Sequence, residues 1–341
     1  MNRLVGALAS SRFPQAALLT GPAGVGKQRL ALWVAQALLC EQPTGGRPCG
    51  ECTGCTRVTT LTHPDLHWFV PIPTPKAADP AKQIEEAESL LAEVMAERRQ
   101  QPHYGRAEGM VGHTLASIWL LQRKVALTPM MARRKVVIVG DAERLVVQTG
   151  NDMAANALLK VLEEPPGNTF LLLTAADPQA LLPTIRSRLI PIRVGPVPDT
   201  AVREFLSQQV KPPLAGTALE QRTVLAEGSI GRALWAEADA EAADKAAERF
   251  LAAVAKGPQG WSSAALVQPP WSARGDFTAL LDAVSLRIRS RLLRDKDGDR
   301  TRQSRWSRAL RRVETARWEA QGNVNPQLGM AVLAQDLQGL L

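Results

Sequence analysis

The sequence predicts an α/β fold: a five-stranded parallel sheet of the phosphate-loop type, then a small helical lid and an all-α C-terminal part. Three observations predict it. The apolar run Ala16-Ala17-Leu18-Leu19-Thr20 enters Gly21-Pro22-Ala23-Gly24-Val25-Gly26-Lys27-Gln28 and then the amphipathic Leu30-Ala31-Leu32-Trp33-Val34. That is the strand, glycine-rich loop and helix a phosphate-binding loop requires. Further apolar runs alternate with helical stretches, as strands of a buried parallel sheet do. All four cysteines lie between residues 40 and 55, which marks a small metal module inserted after the first long helix.

In the loop, the glycines let backbone N–H groups converge on phosphate oxygens, and Lys27 reaches the terminal phosphates. Gly21, Gly24, Gly26 and Lys27 therefore form a cradle for ATP or ADP. The motif ordinarily closes with Ser or Thr, whose hydroxyl holds Mg²⁺. Here that place is Gln28, so the cradle is degenerate.

Cys40, Cys49, Cys52 and Cys55 are spaced C-x8-C-x2-C-x2-C. Two CxxC steps sharing a cysteine suit a tetrahedral thiolate site, and Gly50 and Gly54 allow tight turns around one ion. The expectation is a structural zinc ion with no open coordination position; a redox or accidental cluster is the alternative. His63 and His67 lie nearby but are not needed as ligands. The zinc module spans residues 40–65, and His63-Pro64-Asp65 leads into a second strand, Leu66 to Val70.

Residues 71–112 read as an insertion. Pro71, Pro73, Pro75 and Pro80 predict a loop, and Ile84, Ala87, Leu90, Leu91, Val94 and Met95 recur at helical spacing. Glu85, Glu86 and Glu88 read as a solvated face. A helix over 114–128 precedes the buried strand Val136-Val137-Ile138-Val139. In a nucleotide hydrolase this strand ends in Asp-Glu, for Mg²⁺ and water. Here Gly140 takes the metal-binding place and Asp141 the next. The helix Asn156 to Glu164 stops at Pro165-Pro166, strand Phe170 to Thr174 follows, and Leu182-Pro183-Thr184-Ile185-Arg186-Ser187-Arg188 runs into a fifth strand at Leu189–Val194.

A net charge of +8 and a pI near 9.7 suit a negatively charged partner, nucleic acid first; a merely soluble basic protein is the bland alternative. No run of about 18 apolar residues is present, so no membrane span is expected. Met1-Asn2-Arg3-Leu4 lacks a signal-peptide pattern. The expected location is cytoplasmic.

These motifs resemble the AAA+ clamp-loader family, in particular delta-prime subunits of bacterial DNA polymerase III. The resemblance rests on the phosphate-loop segment, the cysteine cluster, His63-Pro64-Asp65, Asn156-Ala157-Leu158-Leu159-Lys160 with Leu162-Glu163-Glu164-Pro165-Pro166, and Leu182 through Arg188, in order over residues 1–194. Beyond that it thins to Gly228-Ser229-Ile230-Gly231-Arg232-Ala233 and Asn323-Val324-Asn325-Pro326. The resemblance implies a non-catalytic stator of a five-subunit ring with gamma/tau and delta subunits. Such a ring opens a sliding clamp and closes it on primer–template DNA, as part of a nucleotidyltransferase holoenzyme. It further implies that Arg188, in a Ser-Arg-Cys motif that here reads Ser187-Arg188-Leu189, acts as an arginine finger on ATP bound next door; a surface ion pair is the plain alternative. Active relatives carry a nucleotide-sensing arginine where Gly231 stands.

The expected division is 1–195 for the nucleotide-binding-like domain, 196–242 for the lid and 243–341 for a collar. Residues 236–255 read as an Ala/Glu-rich helix, Lys256 to Gly260 as a break, and 295–305 as an exposed turn. Residues 287–317 carry eleven arginines. Solvated helix faces are preferred there to DNA-phosphate contact, because Asp295, Asp297, Asp299 and Glu314 are interspersed. Two rival functions are a self-sufficient ATPase of the gamma/tau motor type, opposed by Gln28, Gly140 and Gly231, and a zinc protein that reads DNA, opposed by the lack of a basic recognition helix.

Overall fold

The computed structural model describes residues 2–101, 111–146, 152–210, 213–234, 237–267, 274–294, 300–320 and 325–341. They divide into two compact units, Met1–Leu234 and Trp235–Leu341. The first contains helix α1 (Asn2–Ala9), strand β1 (Ala16–Thr20), α2 (Lys27–Leu39), α3 (Thr53–Thr59), β2 (Leu66–Phe69), α4 (Pro80–Gln100), α5 (Leu115–Ala126), β3 (Lys135–Val139), α6 (Met153–Glu163), β4 (Thr169–Ala175), α7 (Pro183–Arg186), β5 (Ile190–Arg193), α8 (Asp199–Gln208), α9 (Gly216–Ala226) and α10 (Ile230–Ala233).

All five strands are parallel, in the order β2-β3-β4-β1-β5. Every residue of β3 is buried, as expected for a central strand covered on both faces. β5 lies at the edge, where Pro191 costs no ladder bond that an inner strand would need, and Ile190 is exposed. The α2 face Ala31, Val34, Ala35 and Leu38 packs into the same core as the strands.

Asp65 fixes the lower end of this sheet. Its carboxylate is fully buried and accepts N–H bonds from Met130 at 2.6 Å, Met131 at 2.8 Å and Ala132 at 2.7 Å. Burial alone pushes its pKa up, but the three amides outweigh burial and hold it below the ordinary 3.8. Nearby, the Lys135 ammonium donates to the carbonyls of Lys124 and Leu127. The loop 127–132 is thereby held at three of its amides and at the Leu127 carbonyl. Asp65→Ala should destabilise this unit by about 3–5 kcal/mol, read as a lower urea midpoint. Because the folded-state pKa is depressed, Asp65's contribution is present above 3.8 and lost as pH falls through the folded value. Acid sensitivity in that window should weaken in the variant.

The insertion is closed at its base by reciprocal Ile72–Gly112 backbone bonds of 3.0 Å. Its helix α4 starts at Pro80, which therefore belongs to the helix rather than the loop, and is capped by Asp79. Ala87 and Leu91 are buried. The acidic residues are not simply a solvated face: Glu86 accepts from the amides of Lys76 and Ala77, and Glu88 pairs with Lys124 of α5. Residues 102–110 of the predicted insertion lie outside the described residues.

A separate small cluster, Val202, Leu206, Ala226 and Ala233, joins α8, α9 and α10. The second unit is all helical: α11 (Glu237–Ala255), α12 (Pro258–Val267), α13 (Arg274–Arg294), α14 (Arg300–Glu319) and α15 (Pro326–Leu337). Its core includes Phe250, Leu251, Leu281, Val284, Ile288, Val313 and Leu333. The expected turn at 295–305 is corrected, since 300–305 form the start of α14. The preceding residues, with Asp295, Asp297 and Asp299, lie outside the described residues, as do Asn323 and Val324. Arg287 makes a forked contact with Asp244, Arg312 pairs with Asp336 and Glu319, and Arg317 reaches the buried Asp282 at 2.7 Å. These three arginines are held by carboxylates within the unit.

Candidate nucleotide loop and cysteine centre

The phosphate loop runs from the end of β1 into the start of α2, as expected. The Lys27 side chain is buried and donates to the loop's own carbonyls, Gly21 O and Pro22 O, at 2.9 Å each. The lid residues lie directly on the loop. Gly231 N–H donates to Gly24 O at 2.8 Å, and the Ser229 hydroxyl donates to Ala23 O at 3.0 Å. Gly231 has a structural reason to be glycine: a Cβ there would lie 2.6 Å from Gly24 Cα. Gly231→Ala should therefore cost about 1–3 kcal/mol by forcing lid and loop apart, measurable as a lower melting temperature. Arg232, next along, pairs with Glu227 at 2.8 Å.

The metal side of the loop is filled by protein. The Gln28 side chain sits against Gly140, where an added Cβ would meet it at 3.0 Å. Gln28 Oε1 accepts from Arg98 Nη1 at 3.1 Å. Arg98 comes from the last turn of α4, is buried, and lies 4.5 Å from the centre of the Trp68 ring. An amide, a glycine and a guanidinium thus stand where a hydroxyl and a carboxylate would hold Mg²⁺, and a hydrated Mg²⁺ does not fit this donor set. Sequence reasoning found Gln28 and Gly140 but missed Arg98, whose position in a charged helix gave no signal.

The end of β3 carries further buried polar groups. His113 is kept neutral by burial, its pKa pushed down to about 4, and donates Nε2–H to Gly140 O at 2.7 Å. Asp141 adopts a left-handed φ of 50°, and its N–H donates to the Thr174 hydroxyl. Glu143 accepts from Ala176 N at 3.0 Å; burial, with Asp141 nearby, raises its pKa to about 7. Asp141 and Glu143 thereby join the end of β3 to β4 and the residue after it.

Arg188 lies exposed beyond α7. Its guanidinium donates to Thr184 O at 2.7 Å and to Glu163 Oε1 at 2.6 Å. The surface ion pair weighed as its plain alternative is therefore present. Arg186 is half-buried and bonded to Gln179.

The four cysteines converge. All four sulfurs lie within 4.8 Å of one another. Cys40–Cys49 is 3.5 Å, and Cys49–Cys55 and Cys40–Cys52 are each 3.9 Å. A tetrahedral Zn–S₄ centre with bonds of about 2.3 Å has S···S edges of about 3.8 Å, so the set fits zinc; disulfide bonding would need about 2.05 Å. Amide N–H groups of Cys49, Cys52 and Cys55 point at the sulfurs of Cys40, Cys49 and Cys52. The amides of Cys52 and Glu51 lower the Cys49 pKa to about 6, while burial raises that of Cys55. A zinc ion there would tie the end of α2 to the start of α3. Gly54 is not a turn residue as expected; it lies within α3, where a Cβ would strike Leu39 O at 2.5 Å. His63 and His67 are absent from the cluster.

A phosphate loop entering a five-stranded parallel sheet, with a lid packed on the loop, makes this first unit an α/β core of the AAA+ type. The chain belongs to the family described as DNA polymerase III, delta subunit, whose model matches residues 1–198. It is 37% identical over 213 residues to DNA polymerase III subunit delta' of Pseudomonas aeruginosa, covering 62% of this chain and 52% of that protein. Against subunit delta' of Escherichia coli it is 31% identical over 233 residues, covering 68% and 57%. It is also 28% identical over 234 residues to subunit tau/gamma of Haemophilus influenzae, covering 67% of this chain and 28% of that one. The chain thus spans about half the length of the delta' relatives it matches. Among the described residues no helix is long and apolar enough to cross a membrane.

Proposed function

We propose that the chain is a non-catalytic, stator-like subunit of the DNA polymerase III clamp loader. It helps place the sliding clamp on primed DNA while ATP is hydrolysed on a neighbouring subunit. The carrying observation is the filled metal side of the loop, with Gln28 against Gly140 and bonded to Arg98. In this proposal Gly21, Gly24, Gly26 and Lys27 cradle ATP or ADP for structural purposes at most. Cys40, Cys49, Cys52 and Cys55 hold structural zinc, and Arg188 serves the ATP site next door.

The partners are gamma/tau and delta subunits, joined through a collar at residues 243–341, with 1–195 and 196–242 as core and lid. The clamp is met indirectly, primer–template DNA is the substrate of the complex, and the location is the cytoplasmic replisome. ATP turnover by the isolated protein, with and without a gamma/tau subunit, tests the proposal. The expected result is no turnover alone and robust turnover in the mixture. Robust turnover by the isolated chain would instead establish the second reading, a self-sufficient motor of the gamma/tau type, which the tau/gamma similarity favours.

A further inference from the structure

The segment Leu127-Thr128-Pro129-Met130-Met131, between α5 and β3, puts apolar side chains where a surface loop ordinarily carries polar ones. Leu127 is 65% exposed, Met130 83% and Met131 39%, and these are three of the eight large hydrophobic side chains exposed among the described residues. Exposed hydrophobic residues scattered singly need no explanation, but three within five residues mark a place of contact. The segment is also fixed from below. Asp65 accepts the amides of Met130, Met131 and Ala132, and the Lys135 ammonium donates to the Leu127 carbonyl. A surface already held in one shape loses little freedom when a partner covers it.

The charge along this stretch has one sign. Between residues 115 and 140 the chain holds Arg123, Lys124, Arg133, Arg134 and Lys135, and no Asp or Glu. Three of these cations are occupied: Lys124 pairs with Glu88, Arg134 lies 5.7 Å from the centre of the Phe170 ring, and Lys135 is buried on two carbonyls. Arg123, one helical turn before Leu127, and Arg133, two residues after Met131, are exposed. Among the described residues neither forms an ion pair. Of the carboxylates that bond this stretch, Asp65 is fully buried on three amides and Glu88 is neutralised by Lys124.

We propose that residues 127–131 form a docking surface for a short segment of a protein partner that sets Leu, Ile, Phe or Met beside Asp or Glu. The proposal goes beyond the clamp-loader reading and does not depend on it. Leu127, Met130 and Met131 supply the apolar contact, and unbranched methionines adapt to partners of irregular shape. Arg123 and Arg133 supply charge-assisted bonds to the acidic residues at its rim. Charge complementarity selects this partner over the other anionic ones. Nucleic-acid phosphates gain nothing from three exposed apolar side chains. An anionic membrane surface is read by clusters of about four to eight cations, not by two.

Photo-crosslinking tests this, with the full chain carrying Met130→benzoylphenylalanine in its own cells and the joined peptide mapped by mass spectrometry. The expected result is one partner protein, joined through one segment in which apolar and acidic residues stand side by side. That segment, made as a labelled synthetic peptide, should bind the purified full chain in an anisotropy titration. Its affinity should fall about tenfold or more both in Leu127→Ser/Met130→Ser and in Arg123→Glu/Arg133→Glu. A peptide with its acidic residues changed to Lys should bind the second variant better than it binds wild type. All four substituted side chains are exposed, and unchanged thermal melting confirms that both variants fold. No joined protein, or joining spread over many proteins, would overturn the proposal. So would a joined segment lacking acidic residues, or peptide binding that both variants leave intact. Joining to nucleic acid, or tighter binding of wild type to phosphatidylserine vesicles than to the peptide, would overturn it in favour of those surfaces.

Discussion

Arg188→Ala should lower ATP turnover of the reconstituted complex by about 10³-fold or more, the range over which arginine fingers act in phosphoryl transfer. Assembly, followed by gel filtration, should persist. In the free chain Arg188 is occupied by Glu163 and Thr184 O. That does not oppose a role in trans. The ion pair is exposed, and exposed pairs contribute about 0–1 kcal/mol. A phosphate, with more charge and a better fit to the guanidinium fork, would displace Glu163 readily. Glu163→Gln should accordingly leave turnover at or above the wild-type level. Arg186→Ala serves as the contrast, because Arg186 is half-buried against Gln179 and should not affect the neighbouring site directly. Unchanged turnover in Arg188→Ala would leave only the surface pair.

The second large effect concerns the cysteine centre. Cys55→Ser should abolish stoichiometric zinc, measured by elemental analysis, and destabilise the module by about 4 kcal/mol or more. Cys55 is fully buried, as is Val58 one turn on, and the Cys52 sulfur caps α3. Few other apolar contacts replace what the ion would supply over residues 40–56. A chelator should mimic the variant. Metal loss should also accompany acidification, since each sulfur must shed its proton to bind. A metal-free protein with unchanged melting would show that packing on α2 suffices.

The legible parts of this molecule are those in which a residue's neighbours along the chain decide its role. β1, the loop and α2 follow from an apolar run, glycines and helical spacing within a short window. β3 follows from unbroken branched residues, and the cysteine centre from spacing alone. The illegible parts depend on distant partners. His63-Pro64-Asp65 was visible as a motif, yet the grip of Asp65 falls on the amides of Met130, Met131 and Ala132, and a backbone N–H has no side-chain signature. Arg98 was hidden among the charges of α4, because nothing local says that its helix packs its last turn beside Gln28. In the sequence Gly231 shows only as a departure from an arginine; its close approach to Gly24 exists only once lid and loop meet.

The position of β1 has a consequence for how the chain comes into being. β1 is made first, yet its two neighbours are β4 and β5: Ala16 pairs with Leu171, and Ala17 with Ile190. At roughly 5–20 residues per second of synthesis, its ladder partners emerge on the order of ten seconds later. Until then the apolar segment Ala16–Leu19 has an open edge on both sides, a state prone to wrong pairing. The cysteine module and the β2–β3 pair can organise in the interval, but the sheet closes only when the last strands arrive. Nascent chains stalled before residue 169 should therefore engage holdase chaperones, and those extended past 193 should release them.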